Sequence, residues 1–145
     1  MAETFLHQRR VEFCETDAAG IVHFSAFLLY MEQAEHAFFR SLGTSVMMHD
    51  EFKPSMSWPR VRVECEYASS ARFEDVLAIQ LQIAKLGNKS IEFATTISHG
   101  DRVVARGKST SVCCELDRGN LRSIPIPETL RAQFLPFALD PSSRK

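Results

Sequence analysis

Apolar residues recur along this chain with two periods, and the changes between them mark its elements. Residues 5–14 mix apolar and polar positions and end in Val11-Glu12-Phe13, which predicts a first strand. Thr16 to His23, punctuated by Asp17 and Gly20, reads as a turn. The period then becomes helical. Phe24, Phe27, Leu28, Met31, Ala34, Phe38 and Leu42 fall at spacings of three and four, and Gly43 supplies a stop. A helix of about 19 residues, at about 1.5 Å each, spans roughly 28 Å.

One residue interrupts the apolar stripe. At about 100° per residue, Glu35 falls in its middle, with Glu32 at its margin and Gln33, His36 and Arg40 towards the polar side. A carboxylate there is costly unless it is paired or functional. Glu32 has His36 four positions on, whereas Glu35 has only Phe38 and Phe39 at that reach. Two readings of Glu35 stay open: a buried acid with a raised pKa, or the partner of an Arg from a neighbouring subunit.

Beyond an irregular connection over residues 44–57, which contains Pro54, the period becomes two. Val61, Val63, Cys65 and Tyr67 alternate with Arg62, Glu64 and Glu66, predicting a half-buried strand. Leu77, Ile79, Leu81 and Ile83 form a second alternation, and Gly87-Asn88 turns the chain into Ile91, Phe93, Thr95 and Ile97. His99-Gly100-Asp101 turns it again into a last strand from Val103 to Cys113. Hairpin-linked strands imply an antiparallel meander, with the long helix covering its apolar face, an α+β layer. Pro125, Pro127 and Pro136 punctuate a tail with one short helix expected around Glu128–Phe134, and the end from Asp140 is expected to fray.

Composition narrows the class. With 145 residues, 45% hydrophobic and 24% charged, the chain fits one globular domain, read as 1–145. A formal net charge of −1 argues against general attraction to nucleic acid or acidic membranes. No apolar run is long enough for a membrane span, and no secretory signal is evident, so a cytoplasmic location is expected. Cys14, Cys65, Cys113 and Cys114 form no C-x-x-C and are read as small buried hydrophobes; metal-ligand spacing is absent.

Asp17, Gly20, Val22 and His23 form an Asp–x–x–Gly–x–Val–His stretch that resembles the hotdog-fold acyl-CoA thioesterases of the 4-hydroxybenzoyl-CoA thioesterase type. Glu32-Gln33-Ala34 resembles that family's helical Glu-x-Ala, Tyr67-Ala68-Ser69-Ser70-Ala71 its Tyr-ended strand, and Leu86-Gly87-Asn88-Lys89-Ser90 its Gly-x-x-Ser hairpin. The resemblance covers roughly residues 6–115, leaving a tail of 116–145. It implies a five-stranded antiparallel sheet, order 1-3-4-5-2, wrapped around one long central helix. It also implies a homodimer or homotetramer with sites between subunits.

For chemistry, the resemblance implies hydrolysis of an acyl-CoA thioester without a metal or other cofactor. Asp17 would be nucleophile or general base, with His23 and Glu32 as further catalytic candidates. Backbone amides at the helix start, Phe24 and Ser25, would receive the oxyanion. Gly20, Val22, Lys89, Ser90 and Trp58 are the candidate substrate or CoA contacts. Arg60, Arg62, Arg106 and Lys108 lie on strand faces that also suit CoA phosphates. Met47, Met48, Phe52, Met56 and Trp58 are candidates to line the acyl pocket. An acyl-carrier-protein thioesterase and a non-catalytic acyl-CoA-binding protein are the alternatives, because fold alone does not separate these classes.

Overall fold

The long helix forms where the three-and-four spacing puts it. In the computed structural model, which describes residues 2–50 and 53–139 (the side chains of residues 48–50 and 53 excepted), α1 runs Phe24–Ser41. It stops at Gly43, whose N–H reaches the Arg40 carbonyl while the Thr44 N–H reaches Phe39. Strand β1 is Phe5–Arg10; β2 is Met48–Asp50, β3 Lys53–Ser57 and β4 Arg60–Tyr67. Strands β5 (Val76–Leu86), β6 (Ser90–His99) and β7 (Arg102–Val112) are the predicted hairpins, followed by β8 (Cys114–Asp117), β9 (Asn120–Ser123) and helix α2 (Glu128–Phe134).

Five of the strands make one antiparallel sheet in the order β1-β5-β6-β7-β4. Counted within this sheet, that is the implied order 1-3-4-5-2. Helix α1 lies across the sheet, with Phe38 against Phe93 of β6 and Met31 against Gly107 of β7, and meets β4 at Arg60 and Tyr67. Its buried face is Ala26, Phe27, Tyr30, Met31, Ala34, Glu35, Phe38 and Phe39. The stripe is therefore rotated from the expected one. Tyr30 and Phe39 are inside, whereas Phe24, the first helical residue, projects beyond the sheet and is exposed.

Four expectations are corrected. Residues 44–57 are not irregular throughout, and β7 is not the last strand: β2, β3, β8 and β9 build a second, four-stranded sheet. Its pairing of Ser55 with Leu116 and Ser57 with Cys114 joins distant segments too short and polar to show a period. Strand β4 is not half-buried. Val61, Val63 and Tyr67 are exposed because β4 is the edge strand, flanked only by β7 and scarcely covered by α1. Cys14 is exposed in a short 3-10 turn, Phe13–Glu15, whereas Cys113 and Cys114 are buried as expected.

Helix α2 occupies the expected residues, and the core continues past residue 115. Ile126, Leu130, Phe134 and Ala138 join it, with the Phe134 and Phe38 rings 6.0 Å apart. The expected fraying from Asp140 lies outside the described residues.

Gly107 sets how closely α1 approaches the sheet. A Cβ there would lie 2.5 Å from the sulfur of Met31 and 3.1 Å from the Glu64 carbonyl oxygen. Replacing Gly107 by Val is expected to destabilise the protein by about 2 kcal/mol through overpacking, read as a lower midpoint in urea at unchanged slope.

Candidate active site

The turn predicted around Asp17 is a closed loop rooted by backbone pairing. Thr16 and Val22 form an antiparallel bridge, and the His23 N–H donates to the Glu15 carbonyl at 2.8 Å. Inside it, the Asp17 N–H bonds to the Ile21 carbonyl and the Gly20 N–H to the Asp17 carbonyl, at 2.8 and 2.9 Å. Gly20 has φ +80°, the left-handed conformation that explains a glycine at this corner. Asp17 Oδ1 accepts from the amides of Ala19 (2.9 Å) and Ile21 (3.4 Å). Among the described residues no hydrogen bond is made by Oδ2. One carboxylate oxygen thus orients the group and the other is uncommitted among the described residues.

Asp17 lines a cleft of about 330 Å³ with Val22, Phe24, Phe27, Tyr67 and Ser69. Tyr67 closes one side, its hydroxyl donating to the Phe24 carbonyl at 3.1 Å and its ring set edge-on to Phe27. At the helix start, His23 is the N-cap: its Nδ1 accepts from the Ser25 N–H at 3.2 Å and lies 2.7 Å from the Ser25 hydroxyl. The two expected oxyanion amides therefore differ. Ser25's is engaged by the cap, while Phe24's has no partner among the described residues and belongs to a residue lining the cleft.

Other nominated residues lie elsewhere. Glu32 and Trp58 line a second cleft of about 260 Å³, together with Glu35, His36, Phe39, Met47, Arg60 and Ser111. Here Glu35 finds its partner within its own chain. Arg60 forms an ion pair with it, and the Ser109 hydroxyl donates to Glu35 Oε2 at 2.6 Å. Glu32 stands 3.7 Å from the same guanidinium. Burial pushes the Glu35 pKa up, and the pull of Arg60 and Ser109 in the other direction does not cancel it. Both open readings of Glu35 meet in this group, except that the arginine comes from β4 of the same chain.

Lys89 and Ser90 sit at the β5–β6 hairpin, outside both clefts. Ser90 accepts the Gly87 N–H on its carbonyl, and the Lys89 carbonyl accepts from Cys113, so this hairpin is tied to the start of β8. Arg106 and Lys108 share the outer sheet surface with Glu64 and Glu66, and Arg62 is exposed beside Glu64. Met48's side chain and Phe52 lie outside the described residues. Among the described residues no three His, Cys, Asp or Glu side chains gather as metal ligands, and no helix is long and apolar enough to cross a membrane.

The fold and this loop place the chain among known proteins. It belongs to the Thioesterase-like superfamily, which matches residues 11–134. A 1,4-dihydroxy-2-naphthoyl-CoA hydrolase of Synechococcus elongatus is 32% identical over 124 residues, covering 86% of this chain and 90% of the relative. A solved gentisyl-coenzyme A thioesterase is 28% identical with a TM-score of 0.75, covering 87% of this chain and 98% of that one. The 1,4-dihydroxy-2-naphthoyl-CoA thioesterase of Synechocystis superposes with a TM-score of 0.78 at 22% identity, over 91% of this chain and 96% of that one. The resemblance to this family is thereby borne out.

Proposed function

We propose that this protein hydrolyses acyl-CoA thioesters to a carboxylic acid and CoA at the Asp17 cleft. The observation that carries the reading is an oriented carboxylate on the same cleft as Phe24, whose helix-start amide has no partner among the described residues, in a chain of this family. Asp17 acts at the thioester carbonyl, by adding to its carbon or by taking the proton of the water that adds. The carbonyl π electrons move to oxygen, and the Phe24 N–H stabilises that charge. Collapse of the tetrahedral adduct breaks the C–S bond. In the water route the departing thiolate takes the proton held by Asp17. In the direct route it leaves a mixed anhydride on Asp17, which water hydrolyses to the free acid while the thiolate is protonated by solvent. His23 holds the helix start in place through its bond to Ser25.

The working unit is a homodimer paired through β4. Along that strand Arg60, beside the second cleft, and Tyr67, beside the first, are about 23 Å apart, too far to serve one reacting centre in a single chain. Antiparallel pairing of two β4 edges sets Arg60 of one protomer near Tyr67 of its partner. The Glu32–Trp58 cleft of one chain then adjoins the Asp17 cleft of the other, giving the acyl group an apolar wall of Trp58, Phe39 and Met47. The exposed Val61, Val63 and Tyr67 on an unpaired edge support this arrangement. Replacing Val63 by Glu is expected to halve the sedimenting mass; a wild type that already sediments as one chain would refute the pairing.

A panel of short, long and aromatic acyl-CoAs, followed by release of free thiol, tests the activity. Turnover of at least one class is expected. No turnover of any CoA ester, with turnover of the same acyl group on carrier protein, would move the substrate to a protein-bound pantetheine.

A further inference from the structure

The loop that carries Asp17 has its root fastened by a side chain that the reaction as described leaves unused. The Glu15 carboxylate receives three donors from three parts of the fold. Its Oε1 accepts the Tyr30 hydroxyl, from the middle of α1, at 2.8 Å. The same oxygen accepts the Glu12 N–H at 2.8 Å, which closes the short turn preceding the loop. Its Oε2 pairs with Arg9 of β1. Arg9 in turn bonds Gln33, one helical turn beyond Tyr30, and lies 4.8 Å over the centre of the Tyr30 ring. Tyr30 itself is fully buried, so the Glu15 carboxylate is held against an immobile part of the core.

We propose that Glu15 is the positioning residue of the Asp17 loop, fixing its root to β1 and α1 so that the Asp17 carboxylate and the Phe24 amide keep one separation. This rests on the reading of Asp17 as the reacting carboxylate. The backbone makes the connection short. Glu15's carbonyl accepts the N–H of His23, the residue that caps α1, and Asp17 is two residues away. The loop begins and ends at a point that Glu15 anchors, and its own turn bonds fix only its internal shape. A tilt of the root would carry Asp17 relative to the helix start without breaking any of those bonds. A displacement of about 1 Å at a reacting group lowers turnover by about a hundredfold, while contacts to the remainder of the substrate persist.

Glu15→Gln tests this, because it retains the shape and an acceptor for Tyr30 while removing the charge that holds Arg9. It is expected to lower kcat by about 10- to 100-fold with KM changed less than about twofold. In an Asp17→Asn background the same change is expected to reduce the residual rate by less than about twofold, since a positioner has nothing left to position. An equal loss in both backgrounds, or no loss in either, overturns the proposal. An Asp17→Asn enzyme with full activity overturns the catalytic reading of Asp17 instead, and amide hydrogen exchange then still decides about Glu15. The amides of Asp17, Gly20 and His23 are expected to exchange about tenfold faster in Glu15→Gln, with the β6 amides unchanged. Unchanged loop exchange, or an equal acceleration in β6, overturns the anchoring role.

Discussion

Asp17→Asn is expected to lower kcat for thioester hydrolysis by about a thousandfold while leaving KM within a few-fold of the native value. Asparagine matches the carboxylate in size and keeps an oxygen for the Ala19 and Ile21 amides, so the loop's internal bonds survive. What it lacks is the negative oxygen that adds to a carbonyl or accepts a proton from water. A thousandfold loss corresponds to about 4 kcal/mol of transition-state stabilisation, within the range a single acid–base or nucleophilic group supplies. The measurement is a steady-state comparison of the two proteins on one acyl-CoA. A variant that turns over at the native rate would remove Asp17 from the reaction.

Replacing Arg60 by Met is expected to destabilise the protein by about 3 kcal/mol at neutral pH and by much less near pH 4. Glu35 is 2% exposed and has Arg60 as its neutralising partner. Its folded-state pKa already lies above the usual 4.5, burial being the main cause. For an acid raised in the fold, the folded chain holds a proton that the unfolded chain has released. Stability is therefore fully present below the unfolded value and falls by about 1.4 kcal/mol per pH unit until the folded pKa is passed. Losing Arg60 raises that folded pKa further and extends the falling window upwards. The gap between variant and native protein should therefore widen with pH, as read from urea titrations at several pH values. Adding Glu35→Gln to Arg60→Met should flatten the dependence, because the amide carries no charge and still accepts from Ser109. A gap constant across pH would sink this account of the pair.

Much of this architecture can be read from the chain because it is local or periodic. Alternation in 76–86, 90–99 and 102–112, joined by two glycine-bearing turns, defines three neighbouring strands without knowledge of anything distant. The Asp17 loop is legible for a related reason: its turn bonds close within five residues. The β4 edge is different. Its alternation is that of a half-buried strand, but which strand ends the sheet is decided by the crossover, and α1 meets it chiefly at its two ends, through Arg60 and Tyr67. Arg60 and Glu35 are likewise 25 positions apart, so no helical spacing could pair them. Glu15 carries no periodic signal at all; only the packing of Tyr30 and Arg9 around it exposes its place. The scatter of the nominated residues over two clefts and a hairpin follows from the length of β4, which the sequence pattern measures but does not orient.

The exposed edge of β4 has a consequence for how the enzyme behaves as well as for how it is built. If two protomers pair through that ribbon as proposed, the catalytic cleft is complete only in the associated fraction of molecules. Specific activity then becomes a function of protein concentration, constant when the chain is abundant and falling on dilution below the dissociation constant. Saturating substrate that bridges both protomers would shift that threshold downwards, so the loss of rate after diluting a stock into assay buffer would shrink as acyl-CoA is raised. The same eight residues would set both how fast the enzyme turns over and how much of it a cell must make before it works.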